Sequence, residues 1–237
     1  MKYNIIPIKQ QDEECAPTCL VMALNAFGIR ARQEEIIEKI PKETPKWREW
    51  LYWIGCAALD YVPKVEVFSM NTQIFDPTWS NLNNSNLAKQ LKKELQFVQK
   101  ILSSSKEPYQ DYFKEHYIDM EIWELKSAIA FLKKGGNISI KPTTTEIIKQ
   151  KLKSGHIAIA SVDATIMYNV ARGIPKSDPI KGSAWGHVVL IGGYNNANFI
   201  IFDPADWYKK KQTFSIPHDR LIEAILRRDQ NILFVKK

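Results

Sequence analysis

The stretch QQDEECAPTCLVMALNAFG, residues 10–28, decides how the rest of the chain is read. Polar residues run up to Cys15, and a helical pattern follows at once. Pro17 suits the first helical position, because it has no N–H to leave unpaired. Leu20, Val21, Leu24 and Phe27 fall at helical spacing and form one apolar face. Gly28 stands where a C′ glycine ends a helix. Cys15 is therefore placed just before a buried helix or in its first turn. Unpaired backbone N–H groups and the positive end of the helix dipole favour a negatively charged sulfur there. A thiolate is the nucleophile that acyl transfer needs. Gln10 and Gln11 lie just upstream, where a side-chain amide could donate to an oxyanion. Taken alone, such a cysteine is more often inert packing, so the functional reading needs a base elsewhere in the chain.

Composition sets the frame. The 237 residues are enough for a well-buried core, and 45% hydrophobic with 25% charged is ordinary globular usage. The net charge of +7 is spread over small clusters such as Lys92-Lys93 and Arg227-Arg228. No basic stripe interleaved with aromatics is present, so no nucleic-acid partner is expected. The three cysteines, Cys15, Cys19 and Cys56, are too few and odd in number for a disulfide scaffold, and point to a reducing compartment. The N-terminal residues lack an apolar signal region, and no apolar run is long enough to span a membrane. A cytoplasmic protein is expected.

Periodicity supplies the elements. Residues 30–40 read as a second helix with Ile36, Ile37 and Ile40 inward. Pro45 opens a third, carrying Trp47, Trp50, Leu51 and Ile54, with Cys56 as packing. Residues 64–70 alternate as a strand, Val65 and Val67 sharing a face. Residues 71–136 read as a mainly helical insertion. Leu87, Leu91, Leu95, Val98 and Leu102 mark one helix, and residues 121–134 form another that stops at Gly135-Gly136. His116 and Glu124 lie in this insertion, which suggests no chemistry of its own. Later come a short strand at 138–140 and a helix with a capping box from Thr143 to Glu146. HIAIASVDA then reads as a strand, and GHVVLIGGY with NFIIFDPAD as a hairpin. Strands at 212–215 and 232–235 flank a helix at 219–228. Helices first and an antiparallel sheet afterwards argue α+β.

Folding the hairpin about Asn195 predicts His187 opposite Asp203, Val189 opposite Ile201 and Ile191 opposite Phe199, all on one face. Asp203 would then hold one imidazole nitrogen and leave the other for a thiol. His156 and His218 are poorer candidates, one after a helix-ending glycine and one in a polar loop. Cys15 and Cys19 have no second ligand pair at zinc spacing, so no metal is expected, and no cofactor.

These residues resemble the papain-like cysteine peptidases, in particular the bacteriocin-processing (double-glycine leader) peptidases and their free-standing relatives. The matching positions are Gln10, Asp12, Cys15, Pro17 and Asn25-Ala26-Phe27-Gly28, then Gly186-His187, Gly193-Tyr194 and Asp203-Pro204. The resemblance covers residues 5–40 and 140–235. It implies one papain-like domain over 1–237, a helical N-terminal half packed on an antiparallel sheet half, with the insertion at 71–136. It also implies Cys15 as nucleophile, His187 as base, Asp203 as its orienting residue and Gln10 as oxyanion donor, acting on a peptide or protein substrate. Two positions depart from the pattern. Ala16 replaces the usual glycine after the cysteine, and Lys9 stands where the family's glutamine usually lies, six before the cysteine. Gln10 is five before and Gln11 four before. A thiol acyltransferase with an amine acceptor would use the same triad; a non-catalytic binding module would not need it intact.

Overall fold

Strands that are apolar without interruption need cover on both faces. HIAIASVD, GHVVLIGGY and NILFVK are such runs. They become β3 (Ile157–Asp163), β4 (Gly186–Tyr194) and β7 (Asn231–Lys236). The computed structural model describes residues 1–11, 14–42, 51–103, 118–173, 177–206 and 210–237. Among these residues β1 (Lys64–Ser69), β2 (Asn137–Ile140), β5 (Asn198–Phe202) and β6 (Thr213–Pro217) complete a seven-stranded sheet. Its order is β2-β1-β7-β3-β4-β5-β6.

The sheet is α+β as expected, but mixed rather than antiparallel. β1 and β2 pair in parallel, Val67 beside Ile138, and the remaining neighbours are antiparallel. Parallel neighbours need a crossover, and the chain between these two carries α4 (Asn84–Ser103) and α5 (Ile118–Lys133). Side-chain alternation splits the apolar strands between two cores. Ile157, Ile159, Val188, Leu190, Leu233 and Val235 face one; Ala158, Ala160, Val189, Ile191, Ile232 and Phe234 face the other. The first core is closed by α1 (Cys15–Ala26), α2 (Gln33–Ile37), α3 (Leu51–Ala58), α4 and α5. The second is closed by α6 (Thr145–Lys153), α7 (Ala164–Tyr168) and α8 (His218–Leu226). The N-terminal helices thus pack on the sheet as expected, and the helices on its other face were not expected.

Helix α1 starts at Cys15, which makes Pro17 its third residue rather than its first. The cost is nil, because N–H groups of the first turn have no partner in the helix. Residues from Ala16 to Leu24 are all buried, so α1 is a core helix on every side and not an amphipathic one. Gly28 closes it at φ +74°. Its N–H donates to Asn25 O at 2.9 Å, and the N–H of Ile29 donates to Leu24 O at 2.9 Å, a Schellman closure that needs the left-handed residue.

Several boundaries move. The second helix is confined to α2, with Ile36 buried and Ile37 and Ile40 only partly so. The N-cap of α6 is Thr144, whose hydroxyl accepts from Ile147 N at 3.3 Å; Thr143, expected in that role, is buried beside it. His218 opens α8 instead of lying in a loop, its ring edge-on to Phe199 at 4.5 Å. A 3-10 turn at Pro77–Asn81 and the short α7 had no counterpart in the periodicity. Val65 and Val67 are buried together, as the alternation requires. Asp12, Pro45, Trp47, Trp50 and His116 lie outside the described residues. No helix among the described residues is long and apolar enough to cross a membrane.

Candidate active site

His187 is the second residue of β4, at the end of the ladder where Gly186 pairs with Asp163. The hairpin does not have the expected register. Ile191 faces Ile201 and Leu190 faces Phe202, two positions from the expected pairing, and beyond a bulge Gly193 faces Ile200. The bulge is at Gly192, where a Cβ would meet Ile5 Cδ1 at 2.3 Å. The turn is also displaced. Asn195 N donates to Asn198 O at 2.9 Å, which leaves Asn196 and Ala197 as the loop. A shift of two keeps every side chain on its face. Asp203 therefore stays on the face of His187 but reaches it diagonally, and the contact survives: His187 Nε2 lies 2.8 Å from Asp203 Oδ1. Both side chains are buried.

Asp203 is fixed from several directions. Its Oδ1 also accepts from Ala205 N at 2.8 Å, its own N–H donates to Gln212 O at 2.8 Å, and its Oδ2 accepts from Tyr168 OH at 2.5 Å. Asp203 thus holds the ring of His187 through Nε2, and a thiol meets the same ring from α1.

Cys15 is that thiol. It is the first residue of α1, partly exposed, and hydrogen-bonds with the His187 side chain. The side chain of the N-cap residue, Glu14, does not cap the helix. The Glu14 carboxylate instead accepts from Gln33 Nε2 at 2.5 Å, while Thr18 N makes the first helical bond, to Glu14 O at 3.3 Å. The Glu14 side chain thus leaves the first-turn N–H groups beside the sulfur uncapped. Burial alone would push His187 down. The hydrogen bond to Asp203, the hydrogen bond with Cys15 and the charges of both outweigh it, and raise His187 to about 9. These contacts favour the charged form of the imidazole.

Gln10 is brought to the same place through its backbone. Its N–H donates to Pro204 O at 2.8 Å, the residue after Asp203, and its carboxamide oxygen is buried. Gln11 is exposed. Lys9, at the position where the resemblance would put a glutamine, turns outward to Asp206 at 3.0 Å.

A model of the Peptidase_C39 like family matches residues 2–220. The chain belongs to that family. Membership points to a cysteine peptidase. No curated protein matches the chain. One solved structure that it resembles is titled a "putative C39-like peptidase from Bacillus anthracis", with 15% identity and a TM-score of 0.44 over 99% of this chain and 96% of the other.

The other candidates in this Peptidase_C39 like chain are placed apart from that chemistry. Cys19 is buried one turn along α1, its Sγ 3.5 Å from Val188 O. Cys56 is buried in α3, and burial pushes its thiol up to about 12. His156 bonds to Ser154 and to Lys151 O, at the end of α6. Glu124 is engaged by Asn71 and Asn231. Tyr168 is the contributor that periodicity and motifs missed. It stands in a five-residue helix with no motif around it. No spacing or motif in the sequence links it to Asp203, 35 residues further on.

Proposed function

We propose that the chain is a cysteine peptidase that cleaves a peptide or isopeptide bond through a Cys15-His187-Asp203 triad. The observation that carries this reading is the buried His187 held between Asp203 Oδ1 at 2.8 Å and Cys15. The Cys15 thiolate attacks the substrate carbonyl, and the oxyanion is held by the Gln10 carboxamide and the Cys15 backbone N–H. The imidazolium then gives its proton to the leaving amine as the C–N bond breaks, leaving a thioester on Cys15. Neutral His187 takes a proton from water, hydroxide adds to the thioester, and the tetrahedral intermediate releases the carboxylic acid and restores the ion pair. Asp203 keeps the imidazole in the tautomer these steps need.

The same reading treats residues 1–237 as one papain-like domain with an inserted helical segment at about 71–136, and places the protein in the cytoplasm. The parallel β1–β2 pair supports the insertion, since both ends of the segment return to one sheet edge. The free state of all three cysteines fits a reducing compartment.

The test is turnover of activated peptide esters and amides, with and without added amines. Hydrolysis that is lost in Cys15→Ala and insensitive to amines is the expected result. Transfer to the amine in preference to water would make the chain an acyltransferase instead.

A further inference from the structure

The carboxylate of Asp203 is shared between donors from opposite sides. Oδ1 takes His187 Nε2 at 2.8 Å and Ala205 N at 2.8 Å; Oδ2 takes Tyr168 OH at 2.5 Å. Tyr168 is the last residue of α7, and both ends of that helix are fixed. Asp163 caps the start, accepting from Thr165 N at 2.9 Å and Ile166 N at 3.2 Å, and Asn169 closes the end in the left-handed region at φ 53°. The Tyr168 ring is buried, with the rings of Trp185 at 6.0 Å, Phe214 at 6.3 Å and His187 at 6.3 Å. Its hydroxyl therefore cannot swing away from Asp203 without moving a packed core. Burial and then the negative charge of Asp203 push its own proton affinity well above the ordinary tyrosine value, so it stays a donor.

We infer that Tyr168 is a positioning residue which divides the negative charge of Asp203 and so sets how tightly His187 holds its proton. The inference rests on the triad reading above. A carboxylate that loses one donor in a buried site binds its remaining donor more strongly. With Tyr168 present, Asp203 favours the imidazolium without locking it, and the proton can still pass to a leaving amine. A general acid works best when its proton affinity lies near the working pH. Other groups also face this cluster. Cys15 and Cys19 on α1 are near enough to act on Tyr168 electrostatically, and the Arg228 guanidinium is packed on Gly186, next to His187.

The experiment is the pH titration of the His187 ring by nitrogen-15 NMR in the full chain, which has four histidines to resolve. Tyr168→Phe keeps the ring and removes the donor, and the His187 midpoint should rise by about one pH unit. Site-specific 3-fluorotyrosine at 168, a stronger donor of nearly the same shape, should lower it. The fluorinated residue keeps the question answerable if the phenylalanine variant does not fold. Asp203→Asn should lower the midpoint by more than a unit. A role confined to packing would leave the fluorotyrosine midpoint unchanged. No shift, or shifts of the opposite sign, in both Tyr168 variants while Asp203→Asn and Cys15→Ala still move His187 would overturn the role of Tyr168 alone. A midpoint unmoved by Asp203→Asn and Cys15→Ala would overturn the triad reading itself.

Discussion

The Sγ of Cys19 donates to the carbonyl oxygen of Val188 at 3.5 Å, tying α1 to β4 at the residue after His187. The tie holds the helix that carries Cys15 against the strand that carries His187. Cys15 and Cys19 thus belong to one helix but do different things. Cys15→Ala should abolish turnover and leave the fold intact, since alanine suits a helix start. Cys19→Ala should keep turnover and lose about 1–2 kcal/mol of stability from the vacated sulfur site. Activity assays and urea melts on both variants check this. Equal loss of activity in two folded variants would mean a shared thiol pair.

Asp203 and Asp206 are three residues apart and separable. Asp203 is buried on His187, whereas Asp206 is only half-buried, its carboxyl held below the usual range by the hydrogen bond to Lys9. Without the Asp203 charge, burial dominates at His187 and its value falls from about 9. The rate of Cys15 inactivation by iodoacetate, an anion drawn to the imidazolium, should then decline at lower pH in Asp203→Asn. Asp206→Asn should follow the parent protein; the reverse result would place the orienting carboxylate at Asp206. Stability has a matching sign. A histidine raised in the fold contributes stability that is complete below the unfolded value of about 6.5 and lost as pH rises through the folded one. The deficit of Asp203→Asn should shrink across that window.

What the sequence made legible follows from what survives small errors. Asn195 accepts from Ala197 N and Asn198 N, which moves the hairpin turn onward, and Gly192 adds a bulge. Neither is visible in a pattern of alternating residues. The error near the site was even, so His187 and Asp203 kept a common face. An odd error would have separated them. The parallel β1–β2 pair was hidden because β2 is four residues long and its partner lies before the helical segment. Helices on both faces were written in the uninterrupted apolar strands, but the order of elements suggested two halves. Tyr168 was out of reach, because its bond to Asp203 joins residues 35 apart through side chains alone.

Glu124 gives a pH effect away from the triad. It is buried in α5, where Asn71 Nδ2 and Asn231 Nδ2 donate to it at 3.2 and 3.0 Å. Burial, then the charge of Asp229, outweighs these donors and raises the carboxyl to about 8. Between the unfolded value of about 4.3 and that figure, the folded state holds more protons than the unfolded state. Stability should therefore fall as pH rises across the window. Glu124→Gln removes the titration. Denaturant midpoints at pH 5 and pH 8 should separate in the parent protein and lie closer together in the variant. Equal separation in both would assign the slope to another group.

Gln10 and Gln11 differ in how they are held, and the proposed oxyanion role of Gln10 rests on that difference. Gln10 is tethered by its N–H to Pro204 O at 2.8 Å, and its carboxamide oxygen is buried; Gln11 is exposed. A donor to an oxyanion must be fixed before the charge forms, since the gain comes from dipoles that need not reorganise. Gln10→Ala should therefore lower kcat by roughly 10²–10³-fold, the usual loss for one such donor. Gln11→Ala should leave kcat within a few-fold of the parent. Alkylation of Cys15 by iodoacetamide forms no oxyanion, so its rate should be the same in Gln10→Ala as in the parent. A matched fall in alkylation and turnover would show that Gln10 acts by holding the segment before α1 in place, and the carboxamide would lose its assigned role.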